Sequence, residues 1–519
     1  MNDDDKILTK ETDNETFVQE PIGYNYDNNI EALISENTGY KNQNTSPFLI
    51  SEPKGFKYDI FNKIPIIKKM AKSRYFQYAL MVPNFFVFYV IIISGFIGTP
   101  IGNRNIAIVV LWILWWFILI ALLVPLAARF WCTMCPLPIF GDFLQRFSFL
   151  KVRTGKTGYL RNKMFGLNKK WPKRFKNIWI PNFTFLTLCT FSAILVTRPF
   201  VTSIVLGSMV LIATFLAMIY RLRVFCGHIC PVSGFIGLYS KTSTLELRST
   251  NEEVCKKCKD KGCLRGNEKG WGCPWGEDMG VMKRNNYCGL CMECVKTCSN
   301  DNISLNIRSF SAETKIKGYD ESWKGFIDVG TSHAYSLIYL GTNGTLKDWV
   351  NAPESGNWTG FFIYVVSLWA LSLLIIPGIF YLLSYLTKAI AKVKTVSIKE
   401  IFKAYSYILL PVGLLAWMAF SFPLIFVNGS YILNVISDPL GWGWDLFGTA
   451  EVQWQPLIPE YLGYIQIFLL LLGLGYSIYR GFFIGQKLFN SAVIALKALI
   501  PFAVLASIIA VAFILFFIG

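Results

Sequence analysis

The sequence is poor in histidine. Its 519 residues include only two, His228 and His333, whereas a transmembrane site for two b-type haems needs several axial histidines inside helices. The c-type haem motif Cys-x-x-Cys-His is also missing from the sequence. We therefore expect no haem, so any redox role would depend on iron-sulfur groups, thiols or a partner's cofactor.

Charged residues are scarce as well. Only 16% of the residues are charged and 53% are hydrophobic, and the mean hydropathy is +0.42. This composition excludes an ordinary soluble enzyme and indicates an integral membrane protein. The formal net charge of +17 is expected mostly in loops at the membrane surface, where Lys and Arg set orientation and attract anionic lipid. Nucleic acid is not expected as a partner.

Residues 1–53 lack apolar periodicity and the basic-then-apolar layout of a cleaved signal peptide. They are rich in Asn, Asp and Glu and cannot bury enough surface to repay the entropy of ordering. We expect a disordered acidic tail in the cytoplasm. The basic residues of segment 54–74 precede the first apolar run and mark the cytoplasmic side.

Eight apolar runs are long enough to cross about 30 Å of hydrocarbon as helices. They lie at about 78–98, 106–129, 178–196, 201–220, 361–386, 408–427, 461–479 and 495–518. Basic loops after the second and fourth runs predict a cytoplasmic location for both loops. The basic loop after the fifth run contradicts a simple alternation. Either residues 309–359 contain an irregular crossing such as 326–340, or the orientation rule fails here.

The first four runs form two copies of one helical hairpin. Each copy ends in an arginine, an aromatic residue and two cysteines, with a proline directly after the second cysteine. The two motifs read Arg129-Phe130-Trp131-Cys132-Thr133-Met134-Cys135-Pro136 and Arg223-Val224-Phe225-Cys226-Gly227-His228-Ile229-Cys230-Pro231. A pseudo-two-fold axis between the hairpins would bring the four cysteines together near the cytoplasmic surface.

Two interpretations of Cys132, Cys135, Cys226 and Cys230 remain open. They could bind a further cluster or another metal, or cycle as redox-active dithiols. Alternatively, they are small apolar residues at helix ends, as we expect for Cys189 in the third run. His228 could tune or ligate such a site, or be a loop histidine without a role.

The other eight cysteines lie between positions 255 and 298. They are spaced Cys255-x2-Cys258-x4-Cys263-x9-Cys273-Pro274 and Cys288-x2-Cys291-x2-Cys294-x3-Cys298. The second run matches the bacterial ferredoxin pattern, in which the fourth cysteine ligates the other 4Fe-4S cluster. We therefore predict two 4Fe-4S clusters. Their ligands would be Cys255, Cys258, Cys263 and Cys298 for one, and Cys288, Cys291, Cys294 and Cys273 for the other.

Structural zinc is the main alternative for these eight cysteines, but zinc normally takes its four ligands from two separated pairs. A disulfide framework is disfavoured, since the segment is expected to face a reducing cytosol.

The order and spacing of these motifs resemble the NapH and NosR type of membrane ferredoxins, including CcoG-like relatives. The resemblance covers about residues 70–310. It implies a protein that passes electrons between the quinone pool or a cytoplasmic donor and a respiratory reductase, or that serves the maturation of such an enzyme. The chain departs from this type because Cys132 and Cys135 are separated by two residues instead of three, and because a long membrane half follows.

The predicted fold is an all-α polytopic membrane protein with about eight transmembrane helices and an inserted bacterial ferredoxin-like module with two 4Fe-4S clusters. The expected parts are an acidic tail (1–53), a duplicated hairpin domain (54–240), the ferredoxin module (241–310), a linker of unknown role (311–359) and a C-terminal four-helix membrane domain (360–519).

We expect a multi-pass protein of a prokaryotic cell membrane, with the ferredoxin module in the cytoplasm. The predicted function is electron transfer in a quinol-linked oxidoreductase system, with the lipid membrane, a quinone and partner redox subunits as partners. The alternative function is an assembly factor that reduces or delivers a metal such as copper to a partner enzyme.

Overall fold

The computed structural model describes residues 50–51, 55–150, 166–336, 348–392 and 396–518. The predicted tail therefore lies almost entirely outside the described residues. Within them, seven helices are long and apolar enough to cross a membrane. They are Phe76–Ile97, Ile106–Ala127, Pro199–Ile219, Trp358–Ala391, Ile398–Asn428, Pro459–Phe489 and Ala492–Phe517. The chain is mostly helical, and these helices are consistent with a multi-pass membrane protein.

The third apolar run forms two shorter helices instead of one. These helices, Trp179–Thr190 and Ser192–Thr197, are separated at Phe191. The Thr190 hydroxyl donates a hydrogen bond to the Leu186 carbonyl at 2.8 Å, and such back-bonding tends to bend helices. The hydropathy of the run does not indicate that the helix is interrupted at Phe191. The number of membrane crossings stays a prediction.

The two hairpins pack directly against each other. Helix Phe76–Ile97 of the first contacts helix Pro199–Ile219 of the second, and Gly95 lies against Ser203. A Cβ atom at Gly95 would lie 1.9 Å from the Ser203 hydroxyl oxygen. Only glycine permits this approach, as is common where membrane helices pack closely.

A buried helix, Tyr319–Tyr335, lies in the region predicted as a linker of unknown role. It runs parallel to helix Ile398–Asn428, and three contacts show its direction. They join Ser322 to Ser406, Asp328 to Trp417, and Tyr335 to Phe420. The crossing considered at 326–340 thus overlaps helix Tyr319–Tyr335, which begins earlier. Residues 337–347 lie outside the described part of the chain.

The ends of the bundle can be assigned from loop contacts. The Thr99 amide donates to the Leu440 carbonyl at 2.8 Å, so the first hairpin loop meets the loop after Ser437 at one end. At the other end the Tyr407 hydroxyl lies 2.7 Å from the Ser311 hydroxyl, just after the cysteine-rich module. The beginning of helix Ile398–Asn428 therefore lies at the module end of the bundle. That the buried helix Tyr319–Tyr335 crosses the membrane stays a prediction.

A small antiparallel sheet closes the module. Its strands are Lys57–Asp59, Leu245–Ser249 and Ile303–Arg308, and the last lies between the other two. In the register, Leu247 pairs with Leu305. The all-α prediction does not include this sheet, because its strands have three to six residues and periodicity is too weak over such lengths.

Shorter helices complete the part of the chain that the structure describes. They include Ile60–Lys63, Pro65–Lys72, Trp131–Met134, Ile139–Arg146, Val224–His228, Pro231–Tyr239, Glu252–Lys257, Gly262–Arg265, Glu293–Thr297, Ala352–Ser355 and Tyr431–Ser437.

Candidate functional site

The structure brings together the first predicted set of cluster ligands. Cys255, Cys258, Cys263 and Cys298 line one small cavity. Asn302 connects Cys255 and Cys298, the first and last cysteines of this set, because it donates a hydrogen bond to each of their sulfurs. The backbone N–H donates to Cys298 Sγ and the side-chain NH2 donates to Cys255 Sγ, each at 3.3 Å. Four cysteine sulfurs with N–H donors are a suitable environment for an iron-sulfur cluster.

The second predicted set, Cys273, Cys288, Cys291 and Cys294, is also brought together. Burial raises the pKa of the Cys294 thiol, and the thiols of Cys291, Cys288 and Cys273 raise it further. The Glu277 amide donates to Cys273 Sγ at 3.3 Å. Thiols in such surroundings ionise poorly by themselves, whereas a bound metal stabilises the thiolate. The four thiols thus have the chemistry of iron-sulfur ligands, although the described residues contain no group of three or more His, Cys, Asp or Glu that is arranged to hold a single metal ion.

The four membrane cysteines share a third site. Cys132, Cys135, Cys226 and Cys230 all line one apolar cavity of about 280 Å³, which we call the membrane cavity. Burial raises the pKa of the Cys226 thiol, and the Cys230, Cys135 and Cys132 thiols add to this effect. Cys189 does not line this cavity; its carbonyl accepts a hydrogen bond from the Tyr335 hydroxyl at 2.9 Å.

Short helices and prolines position these four thiols. Cys135 ends helix Trp131–Met134, and Pro136 follows it. Cys230 caps helix Pro231–Tyr239, and its sulfur accepts a hydrogen bond from the Ser233 amide at 3.5 Å. Proline suits the first turn of a helix, since its fixed φ is helical and it has no N–H to satisfy. Each Cys-Pro pair therefore turns the chain beside the membrane cavity.

The arginine that opens each motif contacts the membrane cysteines. Arg129 donates to Cys132 Sγ at 3.7 Å and Arg223 donates to the Cys132 carbonyl at 3.4 Å. Arg223 also forms a buried ion pair with Asp142 at 2.5 Å. The internal repeat points to both arginines in the sequence, but no sequence pattern points to Asp142, the partner of Arg223.

Trp275 connects the membrane cysteines to the ferredoxin module. The guanidinium groups of Arg129 and Arg223 lie 5.9 Å and 5.4 Å from its ring centre. The ring is buried and lies against Gly289, where a Cβ atom would be 2.3 Å from it. Thr133 donates a hydrogen bond to the Gly289 carbonyl. The Cys132 motif therefore contacts the loop between Cys288 and Cys291, a contact that sequence reasoning missed.

His228 does not line the membrane cavity. Its ring stacks on Trp171, with the ring centres 5.7 Å apart and the planes 3° from parallel. Burial, aided by Lys176, lowers the pKa of His228 to about 4. Because the ring stacks on Trp171 and lies outside the membrane cavity, its position fits a packing role better than a ligand role.

Comparisons with known proteins point to iron-sulfur chemistry. A family described as a 4Fe-4S binding domain matches residues 108–157 and 203–248. These segments contain both Cys-Pro motifs. An uncharacterized protein of Methanocaldococcus jannaschii is 28% identical over 268 residues, which are 50% of this chain and 92% of that protein. No solved structure matches the chain.

The family match and the many cysteines support 4Fe-4S cluster binding, and the chain is similar to ferredoxin-type iron-sulfur proteins. The resemblance to the NapH and NosR type stays a prediction.

Proposed function

We propose that this protein transfers electrons between a membrane quinone and two 4Fe-4S clusters in its cytoplasmic ferredoxin module, which exchanges electrons with a partner reductase. The observation that carries this proposal is a continuous series of contacts. It begins at the membrane cavity with its four cysteines, passes Trp275 and ends at the eight cysteines of the module.

The clusters would be held by the two cysteine sets described above. Cys298 completes the set that begins at Cys255, and Cys273 completes the set that begins at Cys288. When bound, such clusters supply one-electron chemistry. The surrounding chain holds them close to each other and keeps water away from the set that contains the buried Cys288, Cys291 and Cys294.

A third iron-sulfur cluster is the best occupant for the four membrane cysteines. The 4Fe-4S family match covers the two segments that carry these cysteines. Four thiolates also need positive charge nearby in a buried site, and Arg129 and Arg223 supply it. A copper ion bound by the same thiols would instead favour the alternative role in assembly of a partner enzyme.

The membrane cavity suits the head group of a quinone. Its volume of about 280 Å³ is close to the lower end of the range for ligand pockets, roughly 300 Å³. Tryptophans at 112, 115 and 116 form much of its wall. The side-chain NH2 of Asn84 donates one hydrogen bond to the Leu80 carbonyl and has a second N–H for a quinone carbonyl oxygen. The cavity lies between helices predicted to span the membrane, where a lipid-soluble quinone can enter.

Metal analysis of the full-length protein, purified without oxygen, tests the cofactor content. We expect about twelve irons per chain, in three four-iron clusters. Cys135→Ser and Cys230→Ser should each lose about four of them, because a missing thiolate breaks a four-cysteine site.

The matched control is Cys189→Ser, which changes a buried cysteine outside the membrane cavity and should keep the full iron content. Zinc in the module would contradict the proposal, and copper at the membrane cysteines would favour the assembly role.

A further inference from the structure

The buried helix Tyr319–Tyr335 carries an ion pair that electron transfer does not explain. Lys324 Nζ lies 2.8 Å from a carboxylate oxygen of Asp328, and both side chains have no exposed surface. A paired charge deep in a membrane bundle is costly, and such residues often mark proton relays.

Asp328 is incompletely satisfied. Asp328 Oδ1 is paired with Lys324, and no other described residue donates a hydrogen bond to either carboxylate oxygen. Lys324 Nζ also lies 3.4 Å from the centre of the Phe185 ring, so its charge is shared with an aromatic face. The second carboxylate oxygen, Oδ2, therefore has no partner among the described residues and can take a proton while the Lys324 ammonium stays beside Oδ1.

The neighbouring helices present few ionisable groups to Asp328. They are Tyr239 from Pro231–Tyr239, whose hydroxyl has no partner among the described residues, and the Cys189 thiol. The segments Leu371–Ile375 and Leu409–Asn428 contain no ionisable residue. Among the described groups, Lys324 is therefore the only cation beside the carboxylate.

Glu321 on the same helix is a useful contrast. It is buried too, but its carboxylate has four partners. They are Lys241 Nζ at 2.5 Å, Arg284 at 3.4 Å, the Asn286 side chain at 2.9 Å and the Lys317 amide at 2.8 Å. With two cations and two further donors, Glu321 stays ionised, whereas Asp328 is the carboxylate with unused acceptor capacity.

The ion pair is structurally linked to the redox site. Helix Pro231–Tyr239 connects them, because Gly237 lies against Arg129 and Tyr239 faces Asp328. An electron added to a buried cluster is costly in a low dielectric unless a positive charge follows it.

We propose that Asp328 takes up one proton from water when one electron enters the cluster held by the four membrane cysteines, and releases that proton when this cluster is reoxidised. The reductant supplies the electron, and the proton converts the Asp328 carboxylate to a carboxylic acid. Lys324 keeps its proton, so the net charge of the protein does not change. This inference rests on the proposed electron transfer and adds a proton-loading site to it.

Infrared difference spectra of the full-length protein, recorded on reduction by dithionite, test this site. We expect a carboxylic-acid carbonyl band to appear on reduction, to shift in D2O and to be lost in Asp328→Asn. Glu321→Gln, the matched control, should keep the band, because that carboxylate stays ionised throughout.

A second variant tests the same site in case Asp328→Asn does not fold. Replacing both partners of a buried ion pair by apolar residues is often neutral or stabilising, so Lys324→Leu/Asp328→Leu should fold and lack the band. A band that persists in this double variant would overturn the inference. Normal reduction of the clusters in the unaltered protein without a carboxylic-acid band would also overturn the inference. A protein without reducible clusters would instead overturn the proposed function as well.

Discussion

At the residue scale, Asn302 shows why Cys298 belongs with Cys255. One residue donates to both sulfurs, although the two cysteines are 43 positions apart in the sequence. We therefore predict that Cys298→Ala damages the cluster held by Cys255, Cys258 and Cys263 and leaves the other module cluster close to normal. Electron paramagnetic resonance of the reduced protein measures this. Loss confined to the Cys288 cluster would reverse the assignment.

The buried ion pair of Asp142 with Arg223 supports a second prediction at this scale. Asp142→Asn should lower the free energy of unfolding by about 3–5 kcal/mol, because it leaves a buried guanidinium without its counter-charge. Thermal unfolding of the detergent-solubilised protein measures the loss. Asp301→Asn is the control, since that exposed carboxylate pairs with Lys68 and Lys72 and should cost about 1 kcal/mol or less. Equal losses would contradict the prediction.

The same pair gives a pH dependence. Burial raises the pKa of Asp142, but the guanidinium groups of Arg146 and Arg223 outweigh it and hold the pKa below 3.8. A carboxylate whose pKa is lowered by folding stabilises the folded state at pH values above its ordinary pKa. This stabilisation is lost as the pH falls through the lowered pKa. In thermal unfolding, the stability of Asp142→Asn should therefore fall less than that of the unaltered protein as the pH is lowered below about 4.

At the element scale, we expect the helix Tyr319–Tyr335 to add one membrane passage and so to set the orientation of the C-terminal half. We predict that epitope tags inserted after Lys269 and Lys399 lie on the same side of the membrane. A tag after Gly443, in the loop that meets the first hairpin, should lie on the other side. Antibody access in intact and permeabilised cells measures this. A tag at Lys399 on the Gly443 side would contradict the additional passage.

The sequence predicts the long helices well, because each is one apolar run that must satisfy its backbone internally. The cysteine spacing also predicts two sets of sulfur ligands, whose binding of clusters stays a prediction. The sequence offers a crossing at 326–340 as one of two alternatives and does not predict that the helix begins at Tyr319, because Lys324 and Asp328 lower the hydropathy and their pairing appears only in three dimensions. Nor does the sequence predict that Trp275 lies between the membrane cysteines and the module, since Arg129 and Arg223, which contact its ring, are far from it in the chain.

At the scale of the whole molecule, the membrane cavity should control quinone access. Leu206→Trp adds bulk to the cavity wall and should slow reduction of the clusters by a quinol, while reduction by dithionite remains normal. Overpacking a filled space costs about 1–3 kcal/mol, so folding should survive. Leu211→Trp is the control, because it lies on the same helix and is 72% exposed. Equal slowing in both variants would contradict this role.

The most direct test of the electron path is anaerobic stopped-flow absorbance of the full-length protein mixed with a quinol. We predict that the clusters are reduced in the unaltered protein and in Cys189→Ser. Cys135→Ser and Cys230→Ser should each abolish this reduction while leaving reduction by dithionite intact. The double variant should be no worse than either single one, because the thiols act as one site. Unchanged quinol-dependent reduction in both single variants would contradict the account.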